Sequence, residues 1–185
     1  MARIPFVSEK DVPGNERAAY DAFVHKRGGQ PQAGPYALLL HMPDLALKYE
    51  AVRLLIREET SVPQPLQEIV MLTVAREMDC AYIWYAHAAA AKAAGVRGDI
   101  VDNLREKRAV TGLGADEQTV VDFTRELLAN RRVSKGTFER ASAAFGRRGT
   151  MTLTNLIGAY AMLAYFMNAY ELEAPAHATE RSLPV

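Results

Sequence analysis

Residues 68–96 read EIVMLTVAREMDCAYIWYAHAAAAKAAGV, and how this stretch folds decides the architecture of the chain. The apolar run Leu66, Ile69, Val70, Leu72 and Val74 starts behind Pro63 and Pro65 and continues to Met78, which predicts one helix. Asp79 breaks the pattern. As an N-cap candidate it opens a second helix from Cys80 to Gly95, glycine being a preferred residue at a helix C-terminus. The two segments predict a helical hairpin joined at Asp79.

Working outward, the first fourteen residues, with Pro5 and Pro13, read as extended chain laid over another element. Asn15 is placed to cap a helix through about Lys26 with Ala19, Tyr20 and Phe23 facing inward. Gly28, Gly29, Pro31, Gly34 and Pro35 then predict a loop suited to border a site. Further helices are expected at 36–41, 44–59, 99–108, 116–130, 134–145 and 150–171, with Leu47, Val52, Leu55 and Ile56 as the apolar members of the 44–59 helix. No alternating β-branched run bounded by turn residues supports a strand. The expectation is one all-α domain of about eight helices over residues 1–173, followed by a short polar tail, 174–185, whose composition predicts disorder.

Composition narrows the function classes. Lys and Arg total 22 and Asp and Glu total 22, so no net charge argues for nucleic acid or an anionic membrane surface as partner. The chain's one cysteine, Cys80, excludes an internal disulfide framework and fits a reducing compartment. MARIPFVSEK lacks the apolar core of a secretory signal, so a cytoplasmic location is expected. Residues 149–170 carry no charge, but Thr150, Thr152, Thr154, Asn155 and Asn168 interrupt them, which favours a helix buried in a core or subunit interface over a membrane span. His25, His41 and His177 share no metal-ligand spacing, and no glycine-rich phosphate loop joins a strand to a helix, so neither a metal nor a nucleotide cofactor is expected.

The hairpin also concentrates reactive side chains. Cys80 opens a helix, where unpaired N–H groups and the dipole favour a thiolate, so a thiol pKa below the usual value of about 8.5 is expected. His87 lies seven residues on, which predicts that Cys80 and His87 line one groove. Glu68 stands eleven residues before Asp79 and His87 eight after it, so the folded hairpin brings carboxylate and imidazole to similar heights. A carboxylate beside an imidazole fixes its tautomer and suits acid–base work. Tyr82 and Trp84 are candidates for the lining of the same pocket.

Glu68, eleven residues, Cys80 and then His87, together with the flanking R-E-x-D-C-x-Y-x-W-x-x-H and the late G-A-Y-A-M-L-A-Y-F-M-N-A, resemble the carboxymuconolactone decarboxylase family and its alkyl hydroperoxidase D-like branch. The resemblance spans about residues 36–172 and implies a multihelical alkyl hydroperoxidase D-like fold, no cofactor, and homo-oligomers, commonly dimers, trimers or hexamers. It implies Cys80, His87 and Glu68 as catalytic residues. In hydroperoxidases of this type two thiols of a C-x-x-C cycle through a disulfide while Glu and His relay protons. Here Ile83 stands where the second cysteine belongs.

Three functions follow. In the first, Cys80 is a single redox thiol of peroxiredoxin type, with Glu68 and His87 moving protons and an external thiol as reductant. In the second, Glu68 and His87 perform acid–base chemistry in decarboxylation or isomerisation of a small carboxylated lactone, and Cys80 is pocket wall. The third is a non-enzymatic helical oligomer with a vestigial site.

Overall fold

The computed structural model describes residues 2–58, 60–174 and 180–184; within them every regular element is helical. In chain order these are α1 (Arg17–Arg27), α2 (Gly34–Leu39), α3 (Pro43–Glu58), α4 (Gln64–Glu77), α5 (Ala81–Ala93), α6 (Gly98–Arg105), α7 (Ala115–Asn130) and α8 (Lys135–Ala169). The all-α expectation holds, with boundaries within a few residues of those read from the pattern.

Helix α4 is the axis of the fold. Every residue from Leu66 to Arg76 is buried, and α5, α7 and α8 pack around it. A helix apolar on all sides gains stability only by being surrounded, which explains why the run 66–74 shows no polar face. No helix among the described residues is long and apolar enough to cross a membrane.

The α4–α5 turn forms differently from the sequence reading. Asp79 is not an N-cap: it adopts a left-handed conformation, φ 49°, just past the end of α4. The Cys80 N–H donates to the Ala75 carbonyl at 2.8 Å and the Asp79 N–H to that of Arg76 at 3.3 Å, the paired bonds of a Schellman ending. Asp79 Oδ1 accepts from Arg76 Nη2 at 2.6 Å. The N-cap of α5 is therefore Cys80 itself, with φ −95° and ψ 92°.

Helix α8 joins the two segments expected at 134–145 and 150–171. Gly146, at φ 68° and ψ −178°, breaks the helical path between them. Ser61 Oγ donates to the Phe145 carbonyl at 2.9 Å and Thr150 Oγ1 to that of Gly146 at 2.9 Å, so carbonyls near the break are satisfied by side chains.

Two features go beyond what the sequence pattern gives. In α3 the buried residues are Pro43, Ala46, Tyr49 and Glu50, while Val52 and Leu55 are 49% and 56% exposed. The helix is rotated so that its charged stripe faces inward. In the tail, residues 175–179 and 185 lie outside the described residues. Residues 180–184 are docked, however: Leu183 is buried, and Trp84, Arg105 and Arg76 donate to the carbonyls of Arg181, Ser182 and Pro184. Composition predicts disorder because it cannot register carbonyls that long side chains of the body will bind. At the other end, the chain before α1 lies on the body as expected, with Val7 buried and the Arg3 N–H donating to the Tyr170 carbonyl at 2.9 Å.

The break in α8 generates the first prediction. A Cβ on Gly149 would meet the Phe145 side chain and lie 2.7 Å from Ser61 Oγ. Gly149→Ala is expected to cost about 1–3 kcal/mol, read as a lower midpoint in thermal or urea unfolding. An unchanged midpoint would show that the two segments pack differently there.

Candidate active site

The short Schellman turn fixes the register of α4 against α5, and with it the distance between Glu68 and His87. His87 Nδ1 lies 2.8 Å from Glu68 Oε2. The carboxylate accepts, so Nδ1 carries the proton and Nε2 is the basic nitrogen. The other carboxylate oxygen, Oε1, accepts from Arg57 Nη2 at 2.8 Å. Glu68 is 1% exposed, so the ion pair with Arg57 is what allows a charge to remain in the centre of the fold. The Tyr160 ring meets the imidazole edge-on, centroids 5.2 Å apart, and fixes it from the α8 side.

His87 opens onto a cleft of about 270 Å³ between α2, α3, α5 and α8. Its polar walls are Arg27, Arg53, Arg57, Tyr36 and Tyr160, and its apolar walls include Ile83, Leu163 and Met167. The arginines are held from behind by Glu50, which is 7% exposed: Arg27 Nη1 donates to its Oε1 at 2.8 Å, Arg53 Nε to its Oε2 at 2.8 Å, and the Tyr36 hydroxyl also donates to Oε2. Burial alone would raise the Glu50 carboxyl, but the hydrogen bonds from Arg53 and Tyr36 and the nearby guanidinium charges outweigh it and bring it down to about 2. Burial likewise pushes the Tyr36 and Tyr160 hydroxyls up, so both remain neutral donors at physiological pH. Three guanidinium groups face two carboxylates, leaving one positive charge in excess around the cleft.

Among the residues singled out from sequence, Glu68 and His87 are brought together, and Tyr82 and Ile83 line the cleft. Tyr82 reaches the first residue of α2, where Gly34 at φ 82° leaves room for its hydroxyl; a Cβ there would sit 2.5 Å away. Trp84 does not line the cleft. It is buried on another side of α5, with Nε1 donating to the Arg181 carbonyl at 3.2 Å.

Cys80 is not in the lining of the cleft either, and it is fully buried. The seven-residue spacing misleads because Cys80 is the non-helical cap, so the 100° steps that reach His87 begin only at Ala81. The low thiol pKa is also corrected. Burial raises it, and the opposing backbone amides of Ile83 and Tyr82 do not compensate.

Sequence reasoning missed the arginines. The signal was present as Glu50, Arg53 and Arg57, spaced i, i+3, i+7 on one face of α3, a pattern that otherwise reads as a solvated surface. Among the described residues no group of three or more His, Cys, Asp or Glu side chains is arranged to hold a metal ion.

Comparison with known proteins places the fold in a class, the alkylhydroperoxidase D-like all-α folds. A peroxidase-related protein from Silicibacter sp. superposes with a TM-score of 0.73 at 16% identity over 97% of this chain and 95% of its own. The alkylhydroperoxidase AhpD core protein from Ralstonia eutropha gives 0.70 at 16% identity over 95% and 93%. A variant of the debrominase Bmp8 in complex with 2,3,4-tribromopyrrole gives 0.71 at 13% identity over 95% of each chain. At these identities the likeness establishes the fold. The sequence is more specific: residues 43–126, from α3 into α7, match the carboxymuconolactone decarboxylase family. Comparison with curated protein sequences finds no significant match.

Two predictions follow. In the native protein Cys80 is expected to alkylate with iodoacetamide on the order of 10- to 100-fold more slowly than free cysteine in mildly alkaline buffer, and at the free rate after unfolding. Native reactivity equal to that of free cysteine would place the thiol at the surface. For Glu50, a folded value of about 2 against the ordinary 4.5 means stability that is fully present above pH 4.5 and lost as the pH falls towards 2. The contribution is on the order of 3 kcal/mol. The stability deficit of Glu50→Gln is therefore expected to be largest at neutral pH and to shrink below pH 4.5, as measured by urea unfolding across that range.

Proposed function

We propose that the chain is an acid–base enzyme acting on a small carboxylated lactone or similar ring, of the decarboxylase or isomerase type, with His87 as the proton carrier. The observation that carries this reading is the Glu68 Oε2–His87 Nδ1 contact of 2.8 Å, which holds His87 in the wall of a cleft whose lining does not include Cys80. Glu68 cannot itself exchange protons freely, because Arg57 and His87 occupy its two oxygens. Its role is to hold the tautomer and to stabilise the imidazolium once formed, as a buried carboxylate does behind a catalytic histidine.

The steps that remain fall to His87 Nε2. In isomerisation it removes a proton from the carbon beside a carbonyl and returns it to another carbon. In decarboxylation the protonated ring supplies the proton to the carbon that loses CO2. The excess positive charge from Arg27, Arg53 and Arg57 suits an anionic substrate and the enolate-like charge of either path, and the apolar wall of Ile83, Leu163 and Met167 strengthens both by displacing water. Cys80 takes no part, so neither an external thiol nor a peroxide is a reactant.

The test uses carboxylated γ-lactones in D2O, followed by proton NMR for deuterium uptake, double-bond migration and loss of CO2. His87→Ala is expected to lower the rate on the order of 10²- to 10⁴-fold. Glu68→Gln is expected to lower it at least about tenfold through the wrong tautomer, and Cys80→Ala to leave it within about twofold. A rate that survives His87→Ala, or thiol-dependent peroxide consumption lost in Cys80→Ala, overturns the reading in favour of redox chemistry.

A further inference from the structure

The α8 residues that line the cleft are Tyr160, Leu163 and Met167, and their side chains bring it one strong hydrogen-bond donor, the Tyr160 hydroxyl. Tyr160 is 2% exposed, and phenylalanine would fill the same space without the cost of taking a hydroxyl out of water. The ring is accounted for by its edge-on contact with the imidazole of His87. The hydroxyl needs a separate reason.

Its hydrogen bonds supply one. The Tyr160 oxygen accepts from the Arg53 guanidinium, which can only donate. The phenolic proton is therefore directed away from Arg53, and among the described residues no side chain takes it. Tyr36, the other tyrosine of the polar wall, differs: its oxygen accepts from Arg53 Nε at 3.1 Å and its proton goes to Glu50 Oε2. The guanidinium groups are engaged as well, Arg27 and Arg53 with Glu50 and Arg57 with Glu68. Tyr160 thus offers, beside His87, a neutral O–H that no protein group uses.

We infer that Tyr160 is a second catalytic residue of the cleft, its hydroxyl donating a hydrogen bond to the substrate carbonyl oxygen on which negative charge develops. The inference rests on the acid–base reading above and deepens it. When His87 Nε2 takes the proton from the carbon beside the carbonyl, the C–H electron pair becomes the C=C bond of an enolate and the carbonyl π pair moves onto oxygen. In decarboxylation the pair comes from the C–C bond that releases CO2, and the imidazolium then protonates the carbon. In both, the Tyr160 proton stays on its own oxygen, and its hydrogen bond strengthens as the acceptor becomes charged. Nothing is oxidised or reduced.

A donor held in place before the reaction has no reorganisation to make, and Tyr160 is held by Arg53 at its oxygen and by His87 at its ring. The ring contact also sets donor and base side by side, as the acidic carbon and carbonyl oxygen of one small substrate require. The arginines attract the substrate's carboxylate in ground and transition states alike. Tyr160 responds to the charge that appears only in the transition state, so its loss falls on kcat.

Tyr160→Phe keeps the ring against His87 and removes only the hydroxyl. On carboxylated γ-lactones it is expected to lower kcat on the order of 10²- to 10³-fold with KM within about threefold of wild type. A second readout needs no turnover: binding of 4-nitrophenolate, a planar oxyanion, and of benzoate, a carboxylate, followed by absorbance and calorimetry. The wild type is expected to bind the phenolate and to lower the pH at which bound nitrophenol ionises. Tyr160→Phe is expected to weaken phenolate binding at least about tenfold and benzoate binding less than about twofold. A rate lost in His87→Ala but kept within about threefold in Tyr160→Phe overturns the inference and leaves the acid–base reading standing. A wild type that binds no phenolate also overturns it. So does a variant that loses benzoate as much as phenolate, since the hydroxyl then acts only by placing Arg53. A wild type without lactone turnover whose phenolate binding depends on Tyr160 refutes the acid–base reading and supports the donor.

Discussion

A carboxylate at the centre of an apolar helix bundle is the constraint on which the rest of this structure depends. Helix α4 is buried on all sides, and Glu68 is the one acidic residue in its buried stretch. An unpaired charge there would cost several kcal/mol or protonate. Two partners prevent this: Arg57 from the end of α3 and His87 from the middle of α5, each 2.8 Å away. Satisfying one charge therefore fixes α3, α4 and α5 relative to one another. It also orients the imidazole and leaves its second nitrogen for the cleft. Stability and the proposed chemistry draw on the same three side chains.

The demand on α3 propagates further. For Arg57 to reach Glu68, the face that also carries Arg53 and Glu50 must point inward, and Glu50 then has to be satisfied in its turn. Arg27 from α1 and Tyr36 from α2 do this, so two elements of the N-terminal third are recruited to a second buried carboxylate. The consequence for the cleft is a wall of guanidinium groups held by carboxylates behind them, stiff enough to present charge without collapsing onto it. The apolar residues that composition alone would place in the core are displaced to the outside of α3 by the same rotation.

What could be read from sequence follows the range of the interactions involved. Helices and the α4–α5 hairpin were legible because periodicity and breakers at Pro63, Asp79 and Gly95 act locally, and the Glu68–His87 meeting was legible because a turn of few residues preserves register. The orientation of α3 was not. Its two faces, one apolar and one charged, invite the usual assignment, and only the buried partner nineteen residues before His87 reverses it. The docked segment 180–184 was hidden for a related reason: its anchors are backbone carbonyls, which every sequence has, bound by Arg76, Trp84 and Arg105 from far along the chain.

The same geometry explains why the position of the single thiol matters more than its presence. Position 83 lies four residues before His87 on α5 and faces the cleft, whereas position 80 is the non-helical cap, closed in the core. A thiol able to meet substrate beside His87 in this scaffold belongs at 83, where the chain carries isoleucine. A branched aliphatic side chain there does more than remove sulfur chemistry. It makes the wall next to Nε2 apolar, and lowering the local polarity strengthens the attraction between a substrate anion and the arginines across the cleft. Retaining Glu68 and His87 while closing the thiol position in this way favours the proposed proton transfer over sulfur chemistry in the cleft.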